Sequence, residues 1–132
     1  MADHVKVMRS QLGRARGLGT AKAGAEHWWT QRILSVALAP LSLWFIVSIL
    51  SLLGAGQPEV AAWVGHPLNA ALLLALILAT LNHAQLGLQV VYEDYARDGV
   101  IRAGMIVATK GAALLLALLA SLAVAKLFIT TH

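Results

Sequence analysis

His83 sits four residues after Ala79 and four before Gly87. Successive residues of an α-helix turn by about 100°, so a helical reading puts Leu72, Leu76, Ala79, Gly87, Val90 and Asp94 within about 40° of the histidine. The imidazole then projects between two small side chains, one turn to either side. A flat macrocycle whose metal is bound by an imidazole needs bare helix surface of this kind. Close approach of a neighbouring helix needs the same small residues, with His83, Asn82 and Gln85 hydrogen-bonding across the contact. From spacing alone both readings stand.

Asp94 follows His83 by eleven residues, almost three turns and about 16 Å along a helix axis, and so falls on the same face, with Tyr95 one residue around. A phenol at the end of such a helix can donate a hydrogen bond to a quinone carbonyl, and a carboxylate beside it can relay protons. The alternative is an interfacial tyrosine anchor next to a solvated helix-end charge. Cysteine is absent, which removes disulfides, thiolate zinc sites, iron–sulfur clusters ligated by this chain and cysteine nucleophiles together. His4 and His132 are at the termini, and His27 and His66 flank apolar runs, so His83 is the one histidine well inside a run. No acid or second histidine lies at that depth to complete a zinc or non-haem iron shell. A haem with two histidine ligands would take the second from another polypeptide. Met105, at the start of the third run, is a minor option as a ligand.

The elements that position these residues are long apolar runs. The chain has 132 residues, 59% hydrophobic and 12% charged, against about 25% charged in a soluble domain. A soluble enzyme is excluded on that ground. Residues 33–53 carry no charge over 21 positions, about 30 Å of helix, the thickness of a bilayer's hydrocarbon core. Residues 68–92 form a second run, whose latter half contains Thr80, Asn82, His83, Gln85 and Gln89 and is expected to face protein or cofactor rather than lipid. Residues 105–129 form a third, interrupted by Lys110 and Lys126, which read as anchors snorkelling to the two interfaces. The fold class is therefore all-α, an integral membrane protein with three transmembrane helices.

Six of the ten basic residues lie in the first 32 positions, so the net charge of +4 is a local topology signal and not a nucleic-acid surface. The connection 54–67 has no Lys or Arg, whereas the N-terminal segment and the connection 93–104 carry Arg32, Arg97 and Arg102. This places the N-terminus in the cytoplasm and the C-terminus on the opposite side, with Trp28, Trp29 and Trp63 at the interfaces. Residues 1–32 form a basic cytoplasmic segment and residues 33–132 the three-helix anchor. Pro40 reads as a kink in the first span. A cleavable secretory signal is disfavoured by the length that precedes that span, and Gly13, Gly17, Gly19 and Gly24 count against a long amphipathic helix of the transit-peptide kind. The sequence shows no internal repeat and no soluble domain.

His83-Ala84-Gln85-Leu86-Gly87 followed by Val90-Val91-Tyr92-Glu93-Asp94-Tyr95 resembles the signature of the hydrophobic membrane-anchor, or D-type, subunits of succinate dehydrogenase (succinate:quinone oxidoreductase, respiratory complex II). The resemblance covers one helix strongly, and the basic N-terminus, three spans and short length agree with it. It implies that His83 is an axial ligand of haem b, shared with a second, cytochrome b-type anchor subunit. It implies that Asp94 and Tyr95 lie at the ubiquinone site, with the tyrosine bonded to the quinone. It also brings a softer expectation, that Arg32 approaches the haem propionates, a carboxylate partner that suits a guanidinium; the same arginine also reads as an interfacial positive-inside charge. An iron–sulfur subunit and a flavoprotein subunit would hold the succinate chemistry, which this chain lacks. The expected location is the bacterial inner membrane, ahead of the mitochondrial one. The rivals are a fumarate reductase anchor working in reverse, and a haem-free structural or transport subunit.

Overall fold

A computed structural model describes the backbone of residues 20–132 and the side chains from Gly24 onward. The basic residues Lys6, Arg9, Arg14 and Arg16, with Gly13, Gly17 and Gly19, lie outside the described residues. Four helices follow one another: α1 (Thr20–Ser51), α2 (Gln57–Gly65), α3 (Pro67–Tyr95) and α4 (Gly99–Thr130), with no strand among the described residues. The three long ones are each apolar and long enough to cross a bilayer. The all-α, three-span architecture read from the sequence is the one found.

The chain divides into two compact units, Met1–Thr30 and Gln31–His132. The described part of the first is the beginning of α1. There the Thr30 hydroxyl donates to the Glu26 carbonyl at 2.8 Å, and the Trp28 and Trp29 rings meet edge to face with centroids 5.3 Å apart. Helix thus begins before the apolar run that starts at Ile33, and Gly24 lies within it, because a glycine costs a helix only about 1 kcal/mol.

In the second unit α1 continues through Pro40 to Ser51. Gly54, at φ +84°, turns the chain in the left-handed region that glycine enters without a Cβ penalty. The connection 54–67, read from the sequence as a plain link, instead contains α2. Pro58 in its first turn is preset for a helix start, and Glu59 meets the positive end of the helix dipole. His66 alone separates α2 from α3, with extended backbone that serves as the cap of both, and Pro67 opens α3. The Asn69 side-chain amide closes this corner by donating to the Trp63 carbonyl at 2.8 Å. At the other end of α3, residues 96–98 return the chain into α4, whose N-terminus is capped by the Asp98 carboxylate accepting from the Val100 N–H at 2.8 Å.

The core is small and sits at the α2 end. Ala70, Leu73 and Val124 are buried together, and Trp44, Phe45, Trp63 and Ile77 pack against them. The Trp44 and Trp63 rings stack with centroids 5.7 Å apart. Trp44 and Phe45 reach across from α1 to this cluster, while α3 and α4 pack directly on each other and on α2. Of the most apolar 18-residue windows, none of the first span and only 6% of each of the other two is buried. Most of the apolar surface is therefore left for lipid or for other chains.

Gly65 is the tightest point of this core. A Cβ there would lie 2.8 Å from the Cβ of Thr131 and in collision with its hydroxyl. Gly65→Ala is expected to destabilise the α2–α4 junction by about 1–3 kcal/mol, the usual cost of overpacking, with part of the loss recovered by Thr131→Gly. Thermal unfolding of the assembled protein checks this; an unchanged midpoint would mean that the junction is loose.

Candidate functional site

α3 carries most of the chemistry. His83, about halfway along it, is half-buried, and its Nδ1 is shielded with no hydrogen-bond partner among the described residues. Leaving a buried nitrogen unpaired costs about 1–3 kcal/mol, so the ring is not held by this chain's own bonds. Nε2 is not shielded and is the nitrogen that can reach a group outside the chain.

The two small neighbours of His83 divide their roles. Ala79 is buried, so its small size serves packing within the chain. A Cβ on Gly87 would meet nothing within 4 Å, so the helix surface on that side of the histidine is open. The sequence offered helix packing and bare surface as alternatives; the structure has one of each.

Toward its C-terminal end α3 is tied to α4 by a hydroxyl pair. Tyr92 and Thr109 share a hydrogen bond with their oxygens 3.2 Å apart, and the Thr109 hydroxyl also donates to the Met105 carbonyl at 2.8 Å. Gln89 donates through Nε2 to Glu93 Oε1 at 2.9 Å, while its own Oε1 is shielded and without a partner. Beyond this tie Asp94 and Tyr95 extend freely, Tyr95 being 82% exposed at the last position of α3. Its phenol is open to groups outside the chain. The Tyr92–Thr109 link went unread in the sequence, since residues 17 apart on different helices show no spacing signal.

Arg32 is exposed on α1. The aromatic contacts that join α1 to the other helices start at Trp44, 12 residues on and about 18 Å along the helix. The structure thus sets His83, Asp94 and Tyr95 on one helix and Arg32 on another. Among the described residues no three His, Cys, Asp or Glu side chains gather as a metal site. Asn82 and Gln85, in the half of α3 expected to face protein or cofactor, line a groove with Lys110 of α4.

The family model for the succinate dehydrogenase/fumarate reductase transmembrane subunit matches residues 6–125. The chain belongs to that family. It is 34% identical over 102 residues to the succinate dehydrogenase hydrophobic membrane anchor subunit of Rickettsia bellii, covering 77% of this chain and 82% of that protein. It is 28% identical over 92 residues to the subunit of the same name from Paracoccus denitrificans, covering 70% and 71%. The similarly named subunit of Reclinomonas americana is 30% identical over 77 residues, 56% of this chain and 64% of that protein. No solved structure is significantly similar. The family resemblance read from the His83 to Tyr95 helix is therefore upheld, and the chain is a multi-pass membrane subunit of the anchor type.

The different surroundings of Ala79 and Gly87 make a direct forecast. Ala79→Leu overfills a buried position and is expected to destabilise the packing within the chain by about 1–3 kcal/mol. Gly87→Leu fills open space and leaves that packing intact. Protease resistance and thermal midpoint of the two variants, measured in the same membranes, separate them; equal loss in both would show that Gly87 also packs within the chain.

Proposed function

We propose that the chain is the D-type membrane anchor of a succinate:ubiquinone oxidoreductase, with its N-terminus in the cytoplasm of a bacterial cell and the anchor in the inner membrane. His83 is an axial ligand of a haem b shared with a second anchor subunit. Asp94 and Tyr95 form part of the ubiquinone-reducing site at the cytoplasmic end of α3. An iron–sulfur subunit and a flavoprotein subunit dock above that end. The observation that carries this reading is the histidine itself, with Nδ1 shielded, Nε2 free to reach outward, and open helix surface at Gly87.

The residues fit the group. A haem b lying against α3 needs one imidazole nitrogen presented outward and a flank without side chains, and α3 offers both. Haem iron, when bound, supplies a one-electron store within the membrane. The chain's part is to hold the imidazole in place and to keep the flank at Gly87 clear. Arg32 contributes a guanidinium for a propionate carboxylate. At the other end Tyr95 donates its phenolic hydrogen bond to a carbonyl of the quinone substrate. Asp94 delivers protons from the aqueous side as the quinone is reduced to quinol.

The positive-inside pattern supports the orientation, and relatives named for succinate dehydrogenase in Rickettsia and Paracoccus support the complex and the bacterial membrane. The family description also covers fumarate reductase, whose direction is set by partners and potentials. A haem-free subunit, in which His83 bonds to a neighbouring helix, is favoured only by the burial of Ala79.

A reduced-minus-oxidised spectrum of the assembled complex distinguishes these readings. The wild type is expected to show a b-type haem band that His83→Ala loses or shifts while the complex still assembles. Absence of the band in the wild type, or an unchanged band in the variant, contradicts the assignment. Tyr95→Phe is expected to slow quinone reduction about tenfold, the worth of one hydrogen bond of roughly 1–1.5 kcal/mol, and to leave succinate oxidation with a soluble artificial acceptor intact. Equal loss of both activities would place Tyr95 in assembly instead.

A further inference from the structure

We propose that Tyr92 is a positioning residue for quinone reduction: its hydrogen bond to Thr109 fixes the last turn of α3, on which Asp94 and Tyr95 stand. The proposal rests on the reading of Asp94 and Tyr95 as quinone-site residues. Both are exposed, and neither side chain makes a hydrogen bond or ion pair among the described residues. Where they point is therefore decided by the backbone beneath them. That backbone is a helix end, closed by the Ala96 N–H donating to the Tyr92 carbonyl at 3.0 Å, and helix ends fray unless something outside the helix holds them.

What holds this end is one bond. Among the described residues Tyr92–Thr109, with oxygens 3.2 Å apart, is the only side-chain hydrogen bond between α3 and α4. A threonine hydroxyl has a single hydrogen, and that of Thr109 goes to the Met105 carbonyl at 2.8 Å. Within the pair the phenol is then the donor, and the tie runs from Tyr92 through Thr109 to the backbone of α4. Thr109 is satisfied without the tyrosine, and a phenol beside Glu93, at the end of the uncharged run, has water within reach. The bond to Thr109 adds a fixed direction. Tyr95 stands about 4.5 Å along the helix from Tyr92 and about 60° around, and Asp94 about 3 Å along, so a swing of this turn moves both together. A turn that is correctly directed for only part of the time lowers the apparent affinity for a ligand by that fraction and leaves the bound complex unchanged. The effect of the tie thus falls on the KM for quinone and not on kcat.

Kinetics of the assembled complex with a short-tailed ubiquinone test this, together with hydrogen exchange of residues 93–96. Tyr92→Phe is expected to raise the KM for quinone about two- to tenfold, the range that one net hydrogen bond spans, to leave kcat nearly unchanged, and to speed exchange in that turn. Succinate oxidation with a soluble artificial acceptor and the thermal midpoint stay at wild-type values. Thr109→Val gives the same rise in KM, Thr109→Ser keeps the wild-type KM, and Tyr92→Phe combined with Thr109→Val does no more than either alone, because both remove one bond. Full additivity of the two substitutions overturns the proposal, since Tyr92 would then act without Thr109. An unchanged KM in Tyr92→Phe, where Tyr95→Phe still slows quinone reduction, overturns it and leaves the quinone site standing. If Tyr95→Phe is silent as well, the quinone-site reading falls and the positioning role with it. A lower thermal midpoint with parallel loss of both activities would make the bond a packing tie alone, which also overturns the proposal.

Discussion

Hydrocarbon offers nothing to hydrogen-bond with, and this constraint governs the whole molecule. An α-helix satisfies its own backbone in such a medium, but each polar side chain on it needs a partner from the protein, from a bound group or from the headgroup layer. Most hydroxyls meet the demand locally. Ser35, Ser51, Thr109 and Thr130 donate to carbonyls three or four residues before them, which hides their polarity at little cost. Tyr92 and Thr109 satisfy each other across two helices. Among the described polar side chains without a partner are His83 at Nδ1, Gln89 at Oε1, and Asn82, Gln85 and Lys110 of the groove.

The chain has little interior of its own. Its core is a small cluster at the α2 end, built where bulky Trp44 and Trp63 stack and where Gly65 lets α2 lie against the end of α4. Away from that end α3 and α4 stay paired. A subunit of this kind leaves most of its apolar surface to lipid or to neighbouring chains. The open flank at Gly87 and the free end at Tyr95 are the surfaces at which such neighbours matter most.

Much of this was legible in the residues. Charge-free stretches about as long as a bilayer is thick marked three spans, and the spacing of His83, Asp94 and Tyr95 placed them along one helix and pointed to the family. The rest depended on contacts that one-dimensional spacing does not encode. α2 was missed because nine residues are too few to show a clear period beside much longer apolar runs. Ala79 and Gly87 look equivalent in sequence, yet one is buried and the other meets open space. Asn82 and Gln85, about 100° and 160° around the helix from His83, lie beside Lys110, which had been read only as an anchor.

The central claim is that the outward nitrogen of His83 binds a metal macrocycle shared with another chain. A high-resolution cryo-electron microscopy map of the intact assembly tests it most directly. The account predicts haem density against α3, with the His83 imidazole among the groups that would hold it and a second subunit in contact with it. A map in which His83 is hydrogen-bonded to a neighbouring helix, with no haem against α3, would contradict it.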